Sequence, residues 1–121
     1  MPIRTILVVD DSPTDRAYLT EMLAKSGYKV SSAASAEEAF AKVKQKKYDL
    51  VLMDIVMPGQ NGFQATRMLH NDESSRHIPI IICSTKGQET DKVWGMRQGA
   101  RDYIVKPVKQ ADLLAKISAL G

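Results

Sequence analysis

Leu50-Val51-Leu52-Met53-Asp54-Ile55-Val56-Met57-Pro58 decides the fold of this 121-residue chain. Four apolar residues run without a break into one carboxylate, and a loop carrying Pro58, Gly59 and Gly62 follows. A short apolar run closed by turn residues reads as a strand covered on both faces, the pattern of a parallel sheet. Open α/β sheets gather their ligands at the C-terminal strand ends. Asp54 therefore stands where a reactive group belongs.

Upstream, Ile6-Leu7-Val8-Val9 is a second such run, ending in Asp10-Asp11. Downstream, His77 to Cys83 is a third, ending in Ser84-Thr85. Tyr28 to Ala33 and Arg101 to Val105 are more polar strands, and the latter ends at Lys106-Pro107. Helical patterns separate them. Ser12 caps the first helix, Pro13 takes its first position and Asp15 is its capping acid, with Tyr18, Leu19, Met22 and Leu23 on one face and Gly27 as the stop. Ser35 to Glu38 is a capping box for the second. The third starts near Gly62 and turns Phe63, Ala65, Thr66 and Leu69 inward. Val93, Trp94 and Met96 mark a fourth, closed by Gly99, and Leu113, Leu114, Ile117 and Leu120 mark a fifth. A lone tryptophan on a helix reads as core packing before partner contact, so Trp94 is expected inside. Gly95 beside it costs about 1 kcal/mol against alanine, which points to close packing or to a soft helix.

Five strand–helix units imply a parallel sheet with right-handed crossovers. The most apolar strands belong in the centre and the polar second and fifth at the edges. The expected fold is thus α/β, a flavodoxin-like doubly wound five-stranded parallel sheet of order 2-1-3-4-5 with five helices. Residues 1–121 are expected to make one domain, with no room for an output domain.

The bulk numbers exclude several classes. A net charge of +3, 44% hydrophobic and 26% charged residues are ordinary for a globular protein. The lysine run from Lys42 to Lys47 reads as a solvated helix end, and no nucleic-acid partner is expected. One cysteine, Cys83, excludes an internal disulfide and fits the core. No signal peptide or 18-residue apolar span is visible, so a cytoplasmic location without membrane insertion is expected.

In this topology Asp10, Asp11, Asp54, Ser84 and Lys106 meet at the strand ends. Like-charged carboxylates about 5 Å apart repel by about 3 kcal/mol per pair at an effective dielectric near 20. A divalent cation, a lysine or protonation must offset this, and all-oxygen ligands suit Mg²⁺ or Mn²⁺. Lys106 can pair with a phosphate and Ser84 can donate to one. The inventory points to phosphoryl transfer, with Asp54 as the in-line nucleophile. His70 and His77 lie at no C-terminal strand end and read as surface residues.

Asp10-Asp11, Asp54 with Met57-Pro58 and Gly62, Ser84-Thr85 and Lys106-Pro107 together resemble the receiver domain of two-component response regulators, in its stand-alone CheY-like form. The resemblance covers the whole chain. It implies that Asp54 accepts a phosphoryl group from the phosphohistidine of a histidine kinase. It further implies that Asp11, Asp54 and the backbone carbonyl of Val56 hold Mg²⁺, with Asp10 supporting the ion through a water. Ser84 would sense the phosphoryl group, Lys106 would pair with it, and Tyr103 would be the switching aromatic. Lys106-Pro107 is expected to be cis, a form tolerable only before proline. An effector would bind the face of helix 4, strand 5 and helix 5, through Tyr103, Thr85, Lys92, Met96 and Lys109. Such a domain is no enzyme beyond its own phosphorylation and dephosphorylation.

A narrower likeness is to the regulators of type IV pilus twitching motility. It is carried by Met53 to Gly59, by Gln88 to Gly95 and by Arg97 to Tyr103; the alternative is a different chemotaxis-like pathway. Ser84 lacks the methyl of the threonine many relatives carry, which loosens its rotamer. Val56 cannot hydrogen-bond a hydrolytic water, and Thr85 leaves space beside the acceptor. A small Mg²⁺-dependent phosphohydrolase would need an acid or base where Val56 stands.

Overall fold

The computed structural model describes residues 2–57, 59 and 61–120; Pro58 of the acceptor-loop motif lies outside the described residues. The elements are β1 (Thr5–Val9), α1 (Pro13–Lys25), β2 (Lys29–Ala33), α2 (Ala36–Gln45), β3 (Leu50–Met53), α3 (Gly62–Asn71), β4 (Ile80–Ser84), α4 (Glu89–Arg97), β5 (Asp102–Val105) and α5 (Gln110–Leu120). Among the described residues they form one parallel sheet of order β2-β1-β3-β4-β5. The apolar runs are central and the polar ones are the edges, as their composition dictates.

Each central strand is buried on both faces because successive residues point to opposite sides. Leu7, Val9, Val51, Met53 and Ile80 face one core with Ala39 and Val43 of α2 and Ala65 and Leu69 of α3. Ile6, Val8, Leu50, Leu52, Ile81 and Cys83 face the other with Leu19 and Leu23 of α1 and Leu113 and Ile117 of α5. Each fully buried Leu or Ile contributes about 1.5–3 kcal/mol. Burial also pushes the Cys83 thiol up to about 12, so it is a core residue without reactivity at neutral pH.

Local signals set the helix ends. Ser12 Oγ accepts from the Asp15 N–H at 3.3 Å, and Ser35 Oγ from the Glu38 N–H at 3.1 Å. Gly27 and Gly99 follow their helices at φ +97 and +113, a region costly for residues with a Cβ. The lysine run behaves as a helix end: Lys42 pairs with Glu38, Val43 is buried and the remaining lysines are exposed.

Several expectations need correction. The fourth strand begins at Ile80 rather than His77, because Ile78 N–H bonds Ser75 O in a turn. Phe63 is only partly buried, at the margin of a small cluster of Ile55, Ile82, Ala100 and Tyr103. Tyr18 is half exposed, with its hydroxyl donating to Val108 O at 2.9 Å. Trp94 is not core: it is 50% exposed, and Val93 and Met96 are exposed beside it. The physical reason is Gly95, the one buried residue of α4. A Cβ there would stand 2.7 Å from Ile82 Cδ1 and 3.3 Å from the Tyr103 ring, so the helix approaches the sheet backbone-first and its large side chains point away.

A tighter approach holds the loop after β3. A Cβ on Gly62 would lie 1.9 Å from the carbonyl oxygen of Asp54, and the Gly62 N–H bonds Ile55 O at 2.9 Å. The obstacle is backbone and cannot rotate aside. Gly62→Ala is expected to cost about 2–4 kcal/mol in urea denaturation, far beyond the small gain alanine brings to a helix start.

Candidate functional site

Three backbone hydrogen bonds carry the sheet one residue past its strand ends. Asp10 N–H bonds Ala33 O at 3.0 Å, Asp54 N–H bonds Val9 O at 2.9 Å, and Lys106 N–H bonds Ser84 O at 2.8 Å. The functional side chains therefore spring from backbone as rigid as the sheet itself. Carboxylate oxygens of Asp10, Asp11 and Asp54 lie within 4.8 Å of one another; Asp10 and Asp54 are buried and Asp11 is exposed. Ser12 N–H donates to Asp10 Oδ1 at 2.9 Å, and Arg16 Nη1 donates to Asp10 O at 2.8 Å.

Lys106 closes the cluster. Its Nζ donates to Asp10 Oδ2 at 2.7 Å and to Asp15 Oδ2 at 2.8 Å, and stands 3.8 Å from Asp54 Oδ2. Asp15 was legible only as a helix-capping acid; it proves to be a second partner of this lysine. The signal that could have found it is its place one helical turn after Asp11, on the side of α1 that faces the strand ends. The peptide before Pro107 is cis.

Electrostatics follow from burial. Burial raises the pKa of Asp54 first and repulsion by Asp10 adds to it, while Lys106 and the N–H groups of Ile55 and Val56 pull it back; the result is about 6, against an ordinary 3.8. Burial alone would lower the Lys106 ammonium, but its hydrogen bonds to Asp10 and Asp15 and the charge of Asp54 outweigh that and hold it well above the usual lysine range.

The hydroxyl and aromatic positions form a second chain of contacts. Ser84 is fully buried, and its Oγ accepts the Lys86 N–H at 3.2 Å. The carbonyl of the same Lys86 accepts the Tyr103 hydroxyl at 2.5 Å. One residue, Lys86, thus links the strand-end serine through its N–H to the aromatic side chain through its carbonyl. Thr85 is exposed and lines a groove of about 290 Å³ with Asp15, Tyr18, Leu19, Lys106, Pro107 and Val108. Lys92 is partly buried, whereas Met96 and Lys109 are exposed. Val56 is 53% exposed and places no acid beside Asp54. His70 and His77 are exposed and away from the strand ends, though Gly99 packs so close to the His70 ring that a Cβ would meet it at 2.5 Å.

A buried carboxylate, two companion acids, a lysine and a hydroxyl thus gather at the mouth of a parallel sheet. The model of the response regulator receiver domain matches residues 6–118, and the chain belongs to that family. Its sequence is 57% identical over 115 residues to Protein PilH of Pseudomonas aeruginosa, covering 95% of each. The chemotaxis protein CheY4 of Vibrio cholerae superposes with a TM-score of 0.91 at 28% identity, covering 98% of this chain and 99% of that one. The receiver domain of the sensor histidine kinase PA1611 of P. aeruginosa superposes with a TM-score of 0.89 at 31% identity, covering 97% and 96%; that structure holds a magnesium ion in its active-site cleft. Receiver domains bind Mg²⁺ at an acidic pocket, and the donor set here fits one, being three hard carboxylates that can reach a single small ion.

The raised pKa has a stability consequence. The folded chain keeps a proton on Asp54 that the unfolded chain releases near its ordinary value, so stability falls as pH rises from about 4 to about 6 and then levels off. Asp54→Asn removes that loss. In EDTA the variant is expected to exceed the parent by about 1–3 kcal/mol above pH 6, with the difference vanishing toward pH 4, as read by urea denaturation.

Proposed function

We propose that this chain is a phosphorelay response regulator that accepts a phosphoryl group on Asp54 from a histidine kinase. The observation that carries the reading is the buried Asp54 carboxylate with Lys106 Nζ at 3.8 Å and the carboxylates of Asp10 and Asp11 beside it. An Asp54 oxygen attacks phosphorus as the P–N bond of phosphohistidine breaks. The electron pair returns to the imidazole, and the phosphoryl group leaves as an aspartyl phosphate. Asp10, Asp11, Asp54 and the Val56 carbonyl would hold Mg²⁺ or Mn²⁺, which supplies positive charge to the phosphoryl oxygens when bound. Lys106 supplies a second positive charge, its Nζ 3.8 Å from Asp54 Oδ2. At neutral pH most Asp54 is ionised and so is a competent nucleophile.

The new charge, about −1.5 to −2, draws the Ser84 hydroxyl toward the acceptor. Ser84 then releases the Lys86 N–H, and the Lys86 carbonyl that holds the Tyr103 hydroxyl shifts with it. Tyr103 and α4 are thereby biased together, which is a two-state element driven by a local charge. The exposed side chains of Val93, Trp94, Met96 and Val105, with Thr85, Lys92 and Lys109, would offer an effector its surface on the α4–β5–α5 face. The identity with PilH supports a role in twitching and type IV pilus control, in the cytoplasm where kinase and effector reside. The phosphohydrolase reading lacks its acid, since Val56 stands two residues after Asp54.

With acetyl phosphate and Mg²⁺, intact mass spectrometry should register one added phosphoryl group on the parent chain and none on Asp54→Asn or in EDTA. Incorporation by Asp54→Asn equal to the parent would overturn the assignment of the acceptor. Phosphotransfer profiling against the host's histidine kinases tests the pathway. Fastest transfer from a pilus-associated kinase supports it, and fastest transfer from a flagellar chemotaxis kinase overturns it.

A further inference from the structure

We infer that Asp15 is a clasp on Lys106, a positioning residue that holds the ammonium off the acceptor until a phosphoryl group competes for it. The inference rests on the acceptor reading above and concerns a residue which that reading does not use.

The lysine has three N–H bonds to give. Two are spent at 2.7 Å on Asp10 and at 2.8 Å on Asp15, while Asp54 at 3.8 Å lies beyond hydrogen-bond reach. Asp10 and Asp15 do not hold it in the same way. The Asp10 side chain is 2% exposed, accepts the Ser12 N–H through its other oxygen and belongs to the acid cluster. Asp15 is 44% exposed, opens on the groove beside Lys106, and is not among the carboxylates close enough to share an ion with Asp54. Asp15 can therefore turn into water at little cost, whereas Asp10 cannot. It is the releasable half of the grip.

The backbone under Asp15 is fixed for this task. Its N–H is tied to the Ser12 Oγ at the helix cap. One turn further along α1, Tyr18 donates to Val108 O, so the first turns of α1 hold the segment after β5 at two points. When a phosphoryl group with up to two negative charges forms on Asp54, its oxygens outbid the half-exposed Asp15 carboxylate for the Lys106 ammonium. Until then Asp15 stabilises the phosphoryl-free state over the phosphorylated one, and its negative charge stands at the mouth where an anionic donor enters.

Beryllofluoride, a phosphoryl mimic that binds acceptor carboxylates in the presence of Mg²⁺, separates the possibilities. Amide resonances of the folded chain report its midpoint for the parent, Asp15→Asn, Asp15→Ser and Asp15→Glu. Both neutral variants should bind it about fivefold more tightly than the parent, with Asp15→Glu within about twofold of the parent. Mg²⁺ affinity without beryllofluoride should change by less than about threefold in all of them. The Lys106 Cε resonance of the free neutral variants should move toward the position it takes in the beryllofluoride-bound parent. Unchanged or weaker beryllofluoride binding in both neutral variants would sink the clasp. So would a loss of Mg²⁺ affinity of about tenfold, which would make Asp15 a metal ligand. A parent chain that binds no beryllofluoride at Asp54 would fail the acceptor reading itself and the clasp with it, a result distinct from the other two.

Discussion

Everything at the mouth of this sheet depends on one ammonium. Asp10 and Asp54 are buried within reach of Asp11, and each close pair of carboxylates repels by about 3 kcal/mol at ~5 Å and an effective dielectric of ~20. Lys106, with its Nζ nearly enclosed, stands against all of them except the exposed Asp11. Removing one partner of such a buried pair typically costs about 3–5 kcal/mol, because the remaining charge has no water to turn to. The lysine is thus a condition for keeping the Asp10 and Asp54 carboxylates in a dry setting, and the same condition restricts where it can reach. Its rigid anchorage comes from the sheet, through the bond of its N–H to Ser84 O.

The other half of the design is a lightly held helix. α4 buries a single glycine against Ile82 and Tyr103, while its large apolar side chains lie outside. Elements with few buried apolar contacts are the ones that shift at low free-energy cost. Lys86, in the loop before this helix, meets Ser84 through its N–H and Tyr103 through its carbonyl. An acid cluster seated on the sheet and a weakly packed helix, bridged by one residue, are what the proposed charge-driven switch requires.

Most of this was legible before any coordinates. Buried parallel strands need apolar residues on both faces, so Ile6 to Val9, Leu50 to Met53 and Ile80 to Cys83 announce themselves, and the acids, hydroxyl and lysine follow at their ends. The helix caps at Ser12 and Ser35 were equally plain, since capping chemistry is local. Two features were not. An acid in the first turn of a helix looks the same whether it faces water or a lysine 91 residues away, so the partnership of Asp15 was hidden. Trp94 was read as core because large aromatics usually are. Its exposure is decided by Gly95, whose close approach to the sheet is a tertiary fact that composition does not carry.

The hydrogen bond between Lys106 and Asp10 joins residues 96 positions apart. A fragment lacking β1, β3 or the segment after β5 cannot hold Asp54 and its counter-charge in place, because all three must be seated first. A chain that ends before Lys106 carries Asp54 without the ammonium that stands beside it in the folded domain. Once assembled, any ligand that binds only the completed cluster adds its free energy to the stability of the entire domain. In this molecule occupancy of the site and integrity of the fold are one equilibrium seen from two ends.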